Sequence, residues 1–372
     1  MSGRDDLSVT LQRLLPEIRA LIIAARRAVS RAVDTLQVRT NFEIGRRIVE
    51  HEQGGQERAA YGAELLKLLS AELTSEFGRG FSKSNLEYMR RFYLTYQDRA
   101  QITQTASGQL PEPEKAQTVP GRLVGAEIWQ TASAKSEAWT LSWSHYLFLL
   151  GIKDPDERTF YEIEATSQGW SLREARRQFD SGLYERLALS RDKESILALA
   201  TEGQVVEKPE QLLKNPYVLE FLGLREETRY SERELETAII DKLQHFLLEL
   251  GKGFLFEARQ KRFTFDEDHF FVDLVFYNRL LRCYVLLDLK IGELTHQDLG
   301  QMQMYVNYFD RYVRIEGEHP TVGIILCRKK KDALVEITVP ASNIYASEYQ
   351  LYLPSKEELR QKLIAWAQGA QG

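Results

Sequence analysis

Three side chains able to do chemistry stand in one apolar stretch, FFVDLVFYNRLLRCYVLLDLK, residues 270–290: Asp273, Asp288 and Lys290. The stretch reads as two β-strands joined by a polar turn at Tyr277 to Leu280. Strand side chains alternate between faces, so Asp288 and Lys290 share one face while Val285, Leu287 and Leu289 take the other. Asp273 precedes Asp288 by fifteen positions, and a hairpin of that length sets it opposite the end of the second strand. Two carboxylates and one ammonium then converge. Neighbouring carboxylates repel, and removing each from water is costly unless a cation joins them. Lys290 can neutralise one acid as a buried ion pair, which leaves the second acid unexplained. A hard divalent ion such as Mg²⁺ takes one or two carboxylates together with waters and a substrate phosphate. That chemistry suits phosphodiester cleavage, with Lys290 placing or deprotonating the attacking water, or offsetting phosphate charge. On spacing alone, the ion pair and the metal site both stand as readings.

A site on two strands needs a sheet and layers to cover it. From Glu232 the pattern predicts one long helix to Leu250 and a Gly-Lys-Gly turn. Strands follow at about 254–263, 269–277, 282–290 and 321–328, with a helix at roughly 295–312 between the last two. This is a mixed α/β domain. On its first strand Glu257, Arg259 and Lys261 fall on one face and Gln260 on the other. The basic run from Arg328 to Lys331 reads as a solvated strand terminus.

Upstream the texture is helical. Apolar residues recur at three- and four-residue spacing from Leu7 to about Tyr96, as in LLPEIRALIIAARRAV and YGAELLKLLSAEL. Residues 101–135, rich in Gln, Thr, Ser, Pro and Gly, predict an exposed, mobile insertion. Helical texture returns at LSWSHYLFLL, with Asp154 and Pro155 opening a helix and Gly169 closing it. Thr201 to Arg225 suits a connection between domains. The expected organisation is a mainly α N-terminal domain over 7–200 and an α/β domain over 226–362.

Within the first domain, YGAELLKLLSAELTSEFGRGFSKSNLEYMRRFYLTY reads as helix, glycine turn, helix, with Ser84 to Glu87 as a capping box. The layout is compatible with a helix-turn-helix whose second helix presents Lys83, Asn85, Arg90 and Arg91. Arginine and asparagine read guanine and adenine edges. Any two amphipathic helices around a glycine turn give the same pattern. Trp170 to Arg186, with Ser171 and Glu174 in capping-box spacing and Arg173, Arg176 and Arg177 on it, is either a second basic helix or a packing or dimerisation helix.

The bulk properties narrow the class. At 372 residues, 43% hydrophobic and 28% charged, the chain is a globular protein too long for one ordinary core. A net charge of −5 excludes a protein coated in positive charge, although local patches still set phosphate contacts. No run reaches the roughly 18 apolar residues of a membrane span, and MSGRDDLSVTLQRLL has charges where a leader would be apolar. A cytoplasmic location without membrane contact is expected. Cys283 and Cys327 lie in apolar runs and read as buried thiols, and the six histidines lack metal-ligand spacing.

The arrangement Asp273 … Asp288-Leu289-Lys290 resembles the PD-(D/E)xK nuclease superfamily. ELETAIIDKLQHFLLELGKGFLFEARQKRF, DLGQMQMYVNYFD and ASEYQLYLPSKEEL are similar to segments of its YhcG-type, DUF1016 branch. FEIGRRIVE, FGRGFSKSNLEYMRRFY and GWSLREARRQ are similar to that branch's N-terminal domain. The resemblance implies a restriction-endonuclease-like fold and a Mg²⁺-dependent deoxyribonuclease, with Mn²⁺ able to substitute. It implies metal-binding acids at Asp273 and Asp288 and a catalytic lysine at Lys290. Glu236 matches the acidic helix residue that many members add to the metal site. Gln301 and Tyr305, four apart on one helix face, resemble a QxxxY element that contacts DNA. Val272 stands in the place of the signature proline and Asp288 in the place of a glutamate, which keeps the ligand type. The family setting implies DNA processing or defence against foreign DNA beside a defence-system partner, and cutting both strands calls for a homodimer. The alternative is a catalytically idle nuclease fold serving as a DNA-binding or scaffold protein, for which a broken acid pair or missing lysine would be expected.

Overall fold

The computed structural model describes residues 29, 32–52, 59–105, 139–190, 193–224, 230–265, 267–330, 332–338 and 343–369. The predicted helical start before residue 29 and the insertion beyond residue 105 lie outside the described residues. Contacts divide the chain into two compact units, Met1–Asp154 and Pro155–Gly372.

The first unit contains α1 (32–52), α2 (Ala59–Phe77), α3 (Lys83–Thr105) and α4 (Trp143–Leu149). Its core is aromatic. Phe92 of α3 meets Phe42, Tyr96, Trp139, Trp143 and Tyr146 at ring-centroid distances of 4.9 to 5.8 Å. Such pairs contribute roughly 0.5–1.5 kcal/mol each beyond the area they bury. A side chain at Gly45 would collide with the Met89 carbonyl, so the glycine of FEIGRRIVE is what lets α1 and α3 touch backbone to backbone. Helix α3 starts at Lys83, and its cap is Ser82, whose Oγ accepts the Asn85 N–H at 3.3 Å. The predicted box at Ser84 is displaced because Ser84 already lies inside the helix.

The second unit opens with α5 (Pro155–Gln168), α6 (Leu172–Asp180), α7 (Leu183–Ala188) and α8 (Lys193–Glu202). The helix start at Pro155 and the stop at Gly169, which has φ 65°, fall where the sequence sets them. So does the Ser171/Glu174 capping box. There follow β1 (Tyr217–Val218), α9 (Glu232–Asp241), α10 (Leu243–Leu250), β2 (Phe254–Phe265), β3 (Asp268–Asn278), β4 (Cys283–Leu289) and α11 (His296–Tyr312). The chain continues through β5 (Val322–Cys327), α12 (Asp332–Thr338), β6 (Ile344–Gln350) and α13 (Lys356–Gly369). The single long helix expected from Glu232 to Leu250 is two helices broken at Lys242, where φ is −116° and ψ 29°. Nothing in the structure explains the break.

The six strands lie in the order β1-β6-β5-β4-β3-β2. Strand β3 runs antiparallel to its neighbours β2 and β4, while β4, β5, β6 and β1 are parallel. One face, with Leu274, Phe276, Val285, Leu287, Leu289 and Ile324, packs on Leu235 and Ile239 of α9 and Phe246 and Leu250 of α10. The other, with Val272, Leu286 and Ile325, packs on Leu299, Met302, Tyr305, Val306 and Phe309 of α11. Gly323 of β5 lies under Met302, too close for any side chain. Among the described residues no helix is long and apolar enough to cross a membrane.

Packing draws its boundary after Asp154, so the helices from Pro155 to Glu202, which the sequence pattern groups with the N-terminal domain, fold onto the sheet unit. A buried charge cluster centred on Glu249 of α10 holds α6 and α7 in the sheet unit. Arg186 of α7 engages its carboxylate, Arg177 of α6 donates to Oε2 at 3.1 Å, and Val218 N–H of β1 donates to Oε1 at 2.9 Å. Lys214 Nζ donates to the Glu249 carbonyl. Burial alone would raise the Glu249 carboxyl, but Arg186, Lys214 and Arg177 outweigh it and bring it down to about 2. The folded value then lies below the unfolded one. The resulting stabilisation is present above about pH 4.5 and is lost as pH falls through about 2. Glu249→Gln is expected to destabilise the second unit by about 3 kcal/mol at neutral pH, the usual scale for breaking a buried pair. The gap between variant and wild type closes as pH falls below about 4. Urea unfolding of the full chain at neutral pH and near pH 3 checks this, and a gap independent of pH contradicts it.

Candidate active site

Strand β4 is buried on both faces, as a central strand between β3 and β5 must be, and it delivers Asp288 into the layer under α11. The β3–β4 ladder pairs Leu274 with Leu287, and the same antiparallel register continued by one residue sets Asp273 opposite Asp288. Leu289 N–H, past the last ladder pair, donates instead to Asp273 Oδ2 at 2.9 Å. Lys290 follows two residues after Asp288. Its Nζ lies 2.9 Å from Asp288 Oδ2 and 3.8 Å from Asp298 Oδ1. Asp298 is held by the N-terminal cap of α11, where Oδ2 accepts from the Thr295 N–H at 2.8 Å and its hydroxyl at 2.7 Å. Asp273, Asp288 and Lys290 are therefore brought together.

The electrostatics of Asp288 follow from its place. It is 3% exposed, and burial pushes its carboxyl up to about 7, with Lys290 opposing the rise and Asp273 adding to it. Burial works against the charge of Lys290, but Asp288 more than compensates and holds the ammonium above its ordinary range. Among the described residues the Lys290 ammonium at 2.9 Å is the partner of this buried oxygen, which accepts from no other group. A carboxylate oxygen in that state suits a second cation.

Glu236 enters from α9 and is also 3% exposed. Arg259 Nε engages Oε1 and Gln260 Nε2 donates to Oε2 at 2.5 Å. The same Nε2 reaches Asp273 Oδ1 at 2.9 Å. Strict alternation would send Arg259 and Gln260 to opposite faces, yet both meet Glu236. A left-handed backbone at Gln260, φ 47°, breaks the alternation. Among the described residues no three His, Cys, Asp or Glu side chains are grouped to hold a metal ion, and both oxygens of Glu236 are engaged by Arg259 and Gln260. Asp273 and Asp288 alone fit a hard ion that keeps most of its waters.

Gln301 and Tyr305 of α11 lie beside the acids. Burial raises the Tyr305 hydroxyl to about 12 with Asp288 and Asp273 contributing, and Gln301 Nε2 donates to that hydroxyl. Tyr305 is buried and Gln301 half-buried. In the first unit, Asn85 has both ends of its amide engaged, by the Gly80 carbonyl and by the Trp143 indole N–H at 3.2 Å. Arg90 pairs with Glu52, whereas Lys83, 3.8 Å from Glu87, and Arg91 are exposed. Of the arginines on α6, Arg177 also holds Glu220. Strand alternation left Arg259 and Gln260 without a place at the site, and sequence reasoning missed Asp298. The Thr295-x-x-Asp298 spacing was a usable signal for the last, since a capping box marks a helix start next to Lys290.

Comparison with known proteins follows this geometry. Residues 210–364 match the YhcG PDDEXK nuclease domain and residues 17–186 the DUF1016 N-terminal domain. A repair endonuclease from Pyrococcus abyssi aligns with 35% of this chain and 50% of its own, at 18% identity and a TM-score of 0.24, a likeness too slight to support an argument. The Escherichia coli (strain K12) protein described as "Putative nuclease YhcG" is 42% identical over 355 residues, 95% of this chain and 93% of its own length. With identity of that extent, and with the two acids and the lysine assembled on adjacent strands, the chain belongs to the YhcG, DUF1016 family of PD-(D/E)xK nucleases.

Proposed function

We propose that this chain is a divalent-metal-dependent nuclease that hydrolyses phosphodiester bonds of DNA, with Asp273 and Asp288 holding the metal and Lys290 positioning the attacking water. The observation that carries the reading is the buried Asp288 Oδ2, whose partner among the described residues is the Lys290 ammonium at 2.9 Å and which accepts from no other group while Asp273 adds a second negative charge. Membership of a nuclease family supports the same chemistry. Mg²⁺ is the proposed ion and Mn²⁺ a substitute, since both take carboxylate and water oxygens. When bound, such an ion acidifies a water and offsets charge at the scissile phosphate.

The chain's own residues supply the rest. Asp273 is fixed in advance by the Leu289 N–H, so no rearrangement is needed to present it. Lys290, between Asp288 and Asp298, orients the water for in-line attack and brings a positive charge to the phosphoryl oxygens. Gln301 is the proposed DNA contact on α11, and the buried Tyr305 holds its amide in place. Lys83 and Arg91 are the proposed phosphate contacts of α3, because Asn85 and Arg90 already have partners. Defence against foreign DNA, the proposed setting, draws on the family resemblance.

Plasmid, linear and branched DNA incubated with Mg²⁺ or Mn²⁺ test the reading. Wild type is expected to cut, and Asp273→Ala, Asp288→Ala and Lys290→Ala each to lose at least about a hundredfold. Equal cutting by all four removes the assigned site. Tight DNA binding without cutting by wild type moves the assignment to an idle nuclease fold. Gln301→Ala is expected to weaken DNA binding by about tenfold while Mn²⁺ affinity stays unchanged, on the scale of one lost charge-assisted hydrogen bond. Fluorescence anisotropy with labelled DNA, run beside an Mn²⁺ titration, separates the two.

A further inference from the structure

Gln260 is held in a strained backbone by the side chains it touches. A left-handed φ of 47° is unfavourable for a non-glycine residue and persists where the surroundings fix it. What fixes it is the carboxamide, shared between Asp273 Oδ1 at 2.9 Å and Glu236 Oε2 at 2.5 Å. Glu236 is in turn clamped by Arg259, whose Nη2 also donates to the Thr237 hydroxyl at 2.9 Å. Leu274, opposite Arg259, faces α9, and this brings the guanidinium to Glu236. A carboxylate as buried as Glu236 needs both of these partners. The result is a chain of contacts, Arg259 to Glu236 to Gln260 to Asp273, ending on an acid whose other oxygen is held by Leu289 N–H.

We infer that Gln260 is a positioning residue: its carboxamide, anchored on the Arg259-clamped Glu236, fixes the Asp273 carboxylate in the orientation that receives the divalent ion, and Glu236 acts through Gln260 rather than as an ion ligand. The inference rests on the metal site proposed above. An oxygen that accepts one N–H keeps a second lone pair, so Asp273 remains a competent ligand while its rotation is stopped. For Glu236 to bind the ion directly, this 3%-exposed carboxylate would have to release Arg259 or Gln260. Partners behind metal-bound carboxylates and imidazoles set affinity by roughly ten- to a hundredfold.

Gln260→Gly separates the side chain from the backbone, because glycine accepts the left-handed φ and lacks the amide. Gln260→Asn tolerates the same backbone and is one methylene short of its two acceptors. Mn²⁺ binding to the full chain is read by electron paramagnetic resonance, alongside thermal unfolding. Both variants are expected to weaken Mn²⁺ binding about tenfold or more, with the glycine variant still unfolding cooperatively at a somewhat lower temperature, because relief of the left-handed backbone offsets only part of the donor lost to Glu236. Should the glycine variant not fold, the asparagine variant provides the reading. In a cycle with Glu236→Gln, the second substitution is expected to add little to the first. Unchanged Mn²⁺ affinity in Gln260→Gly, with Asp273→Ala abolishing binding, overturns the role of Gln260 and leaves the metal site standing. Additive losses in the cycle overturn the route through Gln260 and make Glu236 a ligand of its own. Mn²⁺ binding that survives Asp273→Ala and Asp288→Ala together overturns the metal site itself.

Discussion

A carboxylate enclosed by a sheet and a helix costs several kcal/mol unless opposite charge reaches it, and Asp288 meets that condition only in part. The ammonium of Lys290 stands at 2.9 Å, but the buried oxygen it meets accepts from no other described group and Asp273 adds a second negative charge. Much of the surrounding structure follows from this deficit. The Asp288-to-Lys290 spacing keeps acid and base on one strand face, and Asp298 in the α11 cap faces the ammonium from the other side. The apolar layers on both faces of β4 supply the stability that offsets the cost, each fully buried leucine contributing roughly 1.5–3 kcal/mol.

Glu249 shows what a buried carboxylate looks like when its needs are met. Two guanidinium groups and a backbone N–H satisfy its oxygens, and its carboxyl is brought down to about 2. Asp288, in the same unit and equally hidden from solvent, is pushed the other way, to about 7. The two acids differ in the number of donors, not in burial. A fully satisfied acid fastens α6, α7 and β1 to α10. An incompletely satisfied one keeps coordination capacity in reserve, which is the property expected of a binding group rather than a structural one. Glu236 belongs with Glu249 by this measure, since donors occupy both of its oxygens.

The strands and helices around Asp273 and Asp288 were legible because burial on both faces of β4 and on one face of β3 leaves continuous or alternating apolar runs. The lysine and both acids could be assigned to one spot from alternation alone. Gln260 could not, because its position depends on a left-handed backbone, which leaves no mark in a polar, exposed strand segment such as EARQKR. β1, with two residues, has no period to read. The packing boundary after Asp154 was hidden for another reason: the cluster that holds α6 and α7 in the sheet unit joins Arg177 and Arg186 to Glu249 across more than sixty positions, and each looks like an ordinary surface charge in its own segment. Asn85 and Arg90 have the chemistry of base readers, and each also has a partner inside the first unit that no local pattern announces.

The site and the core also share one register. Val285, Leu287 and Leu289 occupy the α9–α10 face of β4, and Leu286 and Asp288 the α11 face. A slip of one residue against β3 or β5 would exchange the faces, moving three large apolar side chains off one core and driving a carboxylate into it. The penalty would be several kcal/mol on the apolar side and a similar amount for the misplaced charge. Hydrophobic pattern and acid placement therefore exclude the same alternatives. Gly323 tightens this further, since its missing side chain lets Met302 bring α11 down onto β5, the strand beside Asp288, and with it Gln301 and Tyr305 to the acids. Precision at Asp273 and Asp288 is thus a consequence of core packing, and only the Gln260 contact is local to the strands' outer edge.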